Sequence, residues 1–371
     1  MSRIPNQVRT WVEVDLEAVR HNARVVREQA GSGCAILAVV KAGAYGHGAK
    51  PVVRALADQV EIFGVANLKE AREVSAAGTG RDIMILSPCL PAERRGAVAG
   101  NFIVTVSSFE EAVGFAACGS AKVNFKIDTG MGRIGCAPDM AVETLREILR
   151  LPGIEIHSVS THLPCADEDA AFTESQLKGF GGLLTKLREV LPGVRAHSHN
   201  SAGILTQSRV AGEIVRPGLM LYGCSPLPEL QKKLRPALAW RSRVSLVRDV
   251  AAGSGISYGR SFIAPEPMRV AVLAVGYADG YPRQVSGRGA EVLIRGKACP
   301  LLGRVTMDQI LVAVSALPGV EPGDIATLLG RDGEGEISAS QLAEQAGTIP
   351  WDIFTGIGQR VRRFHSAAGV S

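Results

Sequence analysis

From about residue 12 to 225, short apolar runs alternate with amphipathic stretches, and their periods and lengths suit strands each followed by a helix. The strand-like runs are Ile36–Val40, Ile62–Val65, Ile83–Leu86, Phe102–Val106, Val123–Ile127, Ile154–Val159, Arg195–His199 and Leu219–Tyr222. Between them, Leu16–Glu28, Ser108–Ala117, Met140–Leu149 and Gln176–Val190 read as helices. Ser108-Phe-Glu-Glu111 reads as a capping box, with Glu111 placed to reach back to the Ser108 amide. Eight strand-then-helix repeats over roughly 200 residues predict an α/β fold, a (β/α)8 TIM-type barrel. An open doubly wound sheet is the alternative that the pattern alone allows. After Pro236 the texture changes to strand-like runs at Val244–Val250, Arg269–Val275, Glu291–Arg295, Gln309–Val314 and Ile325–Leu329, with only Ser340–Gln345 helix-like. A mostly-β C-terminal domain is therefore expected. The predicted domains are 10–233 for the barrel and 234–371 for the β domain, with residues 1–9 free to pack with the latter.

Composition narrows the class. The chain has 371 residues, 46% of them hydrophobic and 21% charged, which suits a folded protein rather than a disordered or fibrous one. Its net charge of +5 is spread out apart from Arg360, Arg362 and Arg363, too dilute to argue for nucleic acid. Seven cysteines, an odd number without C-x-x-C spacing, suggest free thiols in a reducing compartment. With no long apolar span, a cytoplasmic protein not bound to a membrane is expected.

In a barrel, chemistry gathers at the C-terminal ends of the strands. The first strand ends in Lys41, where partial desolvation should lower the amine's pKa and make it nucleophilic enough to form a Schiff base. The fifth strand leads into Lys126 through Arg133, the sixth into His162, the seventh into His197, Asn200 and Ser201, and Arg216-Pro-Gly218 precedes the eighth. Each alone has a plain structural reading. His197-Ser-His199 could be a metal pair, but no carboxylate completes a ligand set, so no metal is expected. A dinucleotide fingerprint is absent.

Taken in order, AVVKAGAYGHG, KIDTGMGRIG, THLPCADED, HNSAG, RPGLMLYG, ISYGRSF, VGYADGYPR, GRVTMDQ and GTIPWDI closely resemble the alanine racemases, from Val12 to near Phe364. The resemblance implies a barrel carrying pyridoxal 5'-phosphate (PLP), a head-to-tail homodimer whose partner completes each active site, and D-alanine supply for peptidoglycan. It implies that Lys41 is the Schiff-base lysine and that Tyr45, Ser201 and the amides of Gly218 and Leu219 hold the phosphate, with Asn200 beside them. Arg216 is similar to the arginine facing the pyridine nitrogen, His162 to the histidine stacked on the ring, and Arg133 to the residue bonding the phenolic oxygen. Lys126 resembles the lysine that some members carry as a carbamate. Tyr258 matches the second catalytic base, and the Met307 amide a donor to the substrate carboxylate; Tyr277 and Thr306 lie beside the substrate.

Racemisation removes a proton from one face of a planar carbanion and returns one to the other. Lys41 and the partner's Tyr258 are the pair that the resemblance implies, with His162 and Arg216 as neighbours that make the phenol useful near neutrality. Arginine at the pyridine nitrogen keeps its own protons, which should limit side reactions. Three positions depart from the family pattern: Gly43 for the common asparagine, Thr306 for a frequent cysteine, and Trp351 for a tyrosine at the phosphate and entrance. They leave a serine or broad-specificity racemase as an alternative. A PLP-dependent decarboxylase and a non-catalytic PLP-binding protein are further alternatives, opposed by Tyr258 with MDQ and by the second domain respectively.

Overall fold

A computed structural model of the chain describes residues 4–31, 33–207 and 213–366. Seven of the eight expected strands form at or within a few residues of their runs: Ala35–Val39, Ile62–Val65, Asp82–Pro88, Ile103–Val106, Ala121–Lys126, Ile154–Ser160 and Arg195–His197. They are hydrogen-bonded in chain order and every pair is parallel. Runs such as Ile62–Val65 and Ile103–Val106 are buried at every position, as strands covered by helices on one side and filled by side chains on the other must be.

The eighth strand is not Leu219–Tyr222. Ile214–Val215 takes that place, pairing in parallel with Ala35 and Ile36, and Arg216 N–H donates to the His199 carbonyl at 2.8 Å to close the sheet on itself. Leu219–Tyr222 is instead a 3-10 turn ended by Gly223 in the left-handed region. All four of its residues are fully buried, and a buried helical turn has no polar face to reveal its period, so a short apolar run cannot be told from a strand.

The helices Leu16–Ala30, Phe109–Ala116 and Ala141–Ile148 lie where the pattern put them, and Ala170–Val190 starts ahead of the expected Gln176. Ser108 caps its helix by accepting the Glu111 N–H at 3.3 Å, but the Glu111 carboxylate turns to the Ser107 amide at 2.6 Å, one residue short of the expected box.

The described residues divide into two compact units. The barrel unit is Val19–Ala44 with Ala49–Arg235, and the β unit is 4–18, Tyr45–Gly48 and 236–366. The β unit thus claims the start of the chain, which the expected 10–233 boundary gave to the barrel. Thr10–Asp15 is a strand, nearly all buried, that pairs antiparallel with Leu238–Val250 and parallel with Arg362–Ser366. On its other edge Leu238–Val250 pairs with Ile325–Asp332 over Trp240–Arg243, and it continues past both neighbours to pair with Met268–Leu273. Trp11, Trp240 and Tyr281 fill this unit's core, with the last two edge-on at 5.9 Å. Besides Ala339–Ala346, a second helix forms at Pro350–Gly356, where proline sits in the first turn and loses no hydrogen bond.

Candidate active site

Lys41 follows directly on the first barrel strand, and the chain after it turns left-handed: Ala42 (φ 52°), Gly43 (φ 63°) and Ala44 (φ 56°) lie in succession in the αL region. Alanines pay a steric cost there that glycine avoids and asparagine tolerates. Gly43 in place of asparagine therefore exchanges one αL-tolerant residue for another. Glu70, which sequence reasoning missed, holds this turn by accepting the amides of Ala42 at 2.9 Å and Ala66 at 2.8 Å. Burial and the nearby Arg133 charge lower the Lys41 pKa, against an opposing pull from Glu70.

Lys126 ends the fifth strand, and the loop beyond it returns so that the Cys136 N–H bonds to the Lys126 carbonyl at 2.9 Å. The Asp128 carboxylate sits in that loop and accepts four backbone N–H groups, from Gly130, Met131, Gly132 and Arg133, at 2.8 to 3.1 Å. Partial burial alone would raise the Asp128 pKa, but these donors bring it down. A side chain at Gly135 would place its Cβ 2.2 Å from the Asp128 nitrogen, so only glycine lets the loop close. Arg133 is thereby fixed at an exposed place on the rim. Burial, then Arg216 and Arg133, hold the Lys126 pKa well below that of a free lysine.

Arg216 is buried and gives its protons only to neutral acceptors: the carbonyls of Thr161 (2.7 Å), His197 (2.8 Å) and Ser198 (2.9 Å), and Nδ1 of His162 (3.2 Å) and of His197. No carboxylate pairs with it among the described residues, and burial draws its pKa down to about 10. Since a guanidinium cannot accept, both imidazoles accept at Nδ1 and carry their proton on Nε2. Burial, followed by Arg216, lowers the His162 pKa to about 2 and that of His197 well below its usual value.

His197 heads a directional chain through the barrel interior. Its Nε2–H reaches Ser158 Oγ (3.2 Å), which donates to Asn124 Oδ1 (3.3 Å); Asn124 Nδ2 donates to Thr105 Oγ1 (3.1 Å), and Thr105 to the Ile85 carbonyl (2.8 Å). His157 completes it from the side, receiving from Arg195 at Nε2 (2.7 Å) and donating from Nδ1 to Ser158 (3.0 Å). The pair His197-Ser-His199, weighed above as a metal pair, thus has its first member bound to Arg216.

Asn200 is engaged within the protein at both ends of its amide, capping Ser201–Thr206 through the Gly203 N–H (2.9 Å) and donating to the Leu163 carbonyl (3.1 Å). Ser201 Oγ accepts the amides of Gly218 (3.0 Å) and Met220 (3.3 Å), which leaves its own proton to donate; Leu219 opens the short turn between them.

The remaining expected residues belong to the β unit. Tyr258 (69% exposed), Met307 (52%) and Tyr277 (41%) lie on its surface. The Tyr277 and Ala278 amides donate to the Thr306 and Met307 carbonyls, both at 3.0 Å. Arg360 clasps Asp279 (2.7 Å) and Asp308 (2.6 Å), fastening the two turns together. The Thr306 hydroxyl is spent on its own turn, donating to the Gln309 carbonyl at 2.7 Å. Trp351 is half-buried on the helix Pro350–Gly356. Tyr45 is buried with this unit, and burial pushes its phenol up to about 12, so it keeps its proton near neutrality.

Lys41, Lys126, Arg133 and Arg216 therefore crowd one barrel mouth, each close enough to depress a neighbour's pKa, against Asp128 and Glu70 alone in those same balances. Such a mouth suits an anionic group.

The same order of features is found in known proteins. The N-terminal domain model of alanine racemase matches residues 14–226, and the C-terminal domain model matches 237–365. An alanine racemase of Methylacidiphilum infernorum is 40% identical over 97% of this chain and 93% of its own length. One from Halothermothrix orenii is 40% identical over 95% and 96% respectively. Among solved structures, alanine racemase from Clostridium difficile superposes with a TM-score of 0.91 at 31% identity, covering 98% of both chains. That from a D-cycloserine producing Streptomyces lavendulae gives 0.90 at 36%, covering 99% of both. With both domain models matched in order and close relatives aligned along nearly its whole length, this chain belongs to the alanine racemase family.

Proposed function

We propose that the protein interconverts L- and D-alanine with PLP as cofactor, as a cytoplasmic head-to-tail homodimer in which each barrel works with the β unit of the partner subunit. The observation that carries the reading is Arg216: a buried cation held only by neutral acceptors, in a mouth with three further cations. PLP brings a phosphate and a phenolic oxygen, and the amino acid brings a carboxylate, which together suit that excess of positive charge.

Bound PLP supplies an electron sink that acidifies the substrate's α C–H. Lys41 would hold the cofactor covalently. Ser201, with the Gly218–Leu219 turn and Tyr45, would take the phosphate, and Asn200 acts through the helix it caps. Arg133 would meet the phenolic oxygen and Arg216 the pyridine nitrogen. Arg216 stays charged near neutrality, so it donates without surrendering its proton.

Lys41 Nζ moves the proton on one face of the substrate; its lowered pKa brings it nearer the range where an amine can both take and give. Tyr258 Oη does so on the other, and its exposure suits a residue offered to a second subunit. His162, neutral and with its proton on Nε2, can donate a hydrogen bond to that phenol's oxygen and so favour its deprotonated form without adding charge. The Met307 amide orients the substrate carboxylate, and Tyr277 with Thr306 narrows the entrance. Lys126, its amine held well below the pKa of a free lysine by burial and the neighbouring arginines, is the side chain placed to carry a carbamate, which intact-mass measurement at neutral pH would reveal.

The test is chiral chromatography of L-alanine, L-serine and L-lysine incubated with the purified holoenzyme. Rapid equilibration of alanine is expected. Faster turnover of serine would replace the alanine assignment by the broad-specificity one, and no change in enantiomer ratio for any substrate would refute the racemase.

A further inference from the structure

Ser257, immediately before Tyr258, has φ 64° and ψ −178°. That region belongs almost entirely to glycine, because a Cβ collides with the neighbouring peptide. The residues beyond are also left-handed, Gly259 at φ 71° and Arg260 at φ 47°. A conformation of this kind persists only where its surroundings impose it. Here the flanks are pinned by the short antiparallel pair Gly255–Ile256 with Phe262–Ile263, and Arg260 N–H closes back on the Ser257 carbonyl at 3.1 Å. The remaining tie is the Ser257 hydroxyl, which donates to the Arg304 carbonyl at 2.6 Å.

Arg304 begins the segment that runs through Thr306 to Met307, so one hydroxyl links the turn carrying Tyr258 to the turn carrying the carboxylate donor. Among the described residues no hydrogen bond holds the phenol of Tyr258, and its aim is therefore set by its backbone. Were Ser257 to relax to the ordinary extended region, the peptide before Tyr258 would rotate and the ring would swing with it.

We propose that Ser257 is a positioning residue for racemisation: its bond to Arg304 maintains a strained backbone that aims Tyr258 and keeps it in register with Met307. The inference rests on Tyr258 being the base on the L face.

The test compares Ser257→Ala, Ser257→Gly and Tyr258→Phe with the parent holoenzyme, using alanine deuterated at the α carbon in each configuration. If Ser257 aims Tyr258, both Ser257 variants lose roughly tenfold in kcat, as displacing a reacting group by a fraction of an ångström should cause. The isotope effect should rise starting from L-alanine, whose proton Tyr258 removes, and fall starting from D-alanine, where Tyr258 only returns one. Urea midpoints should fall little for Ser257→Ala and stay level or rise for Ser257→Gly, which tolerates the conformation. Parental isotope effects from both enantiomers, with Tyr258→Phe inactive, would overturn the role of Ser257 alone. Parental racemisation by Tyr258→Phe would overturn the base assignment and the role of Ser257 with it.

Discussion

Arg216 donates to Nδ1 of His197, so a buried guanidinium is bound by a neutral imidazole where a carboxylate would ordinarily stand. The charge of Arg216 is then left for whatever occupies the mouth, and the tautomer of His197 is fixed by the same contact. Much of the expected behaviour of the protein follows from this arrangement and its continuation through the barrel.

Replacing Ser158 by alanine removes the junction of that interior chain. The imidazole N–H of buried His197, that of half-buried His157 and the side-chain carbonyl of Asn124 lose their partner, at about 1–3 kcal/mol for each buried group left unpaired. A drop of at least ~2 kcal/mol is expected in urea unfolding of the holoenzyme; a change below ~0.5 kcal/mol would show that the chain is not fully formed.

Acid should destabilise the fold through the same histidines. His162 titrates at about 2 and His157 at about 4 in the folded protein, against 6.5 unperturbed. Between those values the unfolded chain takes up protons that the folded one refuses, so stability present above 6.5 is lost as the pH falls. Each such group adds a slope of ~1.4 kcal/mol per pH unit. His162→Asn should flatten the dependence between pH 6 and pH 4 by about one proton, measured from urea midpoints across that range.

Lys41→Ala should lose the visible absorbance of lysine-bound PLP. An unchanged spectrum in the purified variant would remove Lys41 from its role.

Tyr258→Phe should keep that absorbance and lose at least ~100-fold in racemisation, the scale of a general acid–base group. Equal turnover in both directions at near the parental rate would refute the two-base scheme.

At Gly43 the αL backbone makes a sharp distinction. Nothing lies within 4 Å of a Cβ there. Asparagine should be accepted within ~0.5 kcal/mol, whereas β-branched valine should cost ~1–2 kcal/mol from φ alone. Thermal or urea unfolding of the two variants separates these outcomes.

The barrel was legible because strand and helix periods differ, and because apolar runs such as Ile103–Val106 are buried on both sides. Leu219–Tyr222 misled for the same reason, being apolar throughout without being a strand. The rim residues could be picked out as polar groups at strand ends, and Gly43 was noticed only as a departure until its φ gave it a reason. Other partners left no local sign. Glu70 reaches Ala42 from the helix Leu68–Ser75, Asn124 and Ser158 read as ordinary strand residues, and the capping bond of Asn200 was not legible. The bond by which the Thr306 hydroxyl serves its own turn was likewise not legible. The strand Thr10–Asp15 was not among the strand-like runs, and nothing nearby in the chain indicated that its partner begins at Leu238.

That pairing bears on how the protein is made. Thr10 bonds to Arg241, 231 residues further along the chain. On the ribosome the first strand emerges long before its antiparallel partner, whereas most barrel strands find the preceding one soon after it appears. The barrel can therefore assemble during synthesis while Thr10–Asp15, an apolar edge, waits unpaired. The β unit that carries Tyr258 can be completed only once Arg362–Ser366 has been made to pair with the other edge of that first strand.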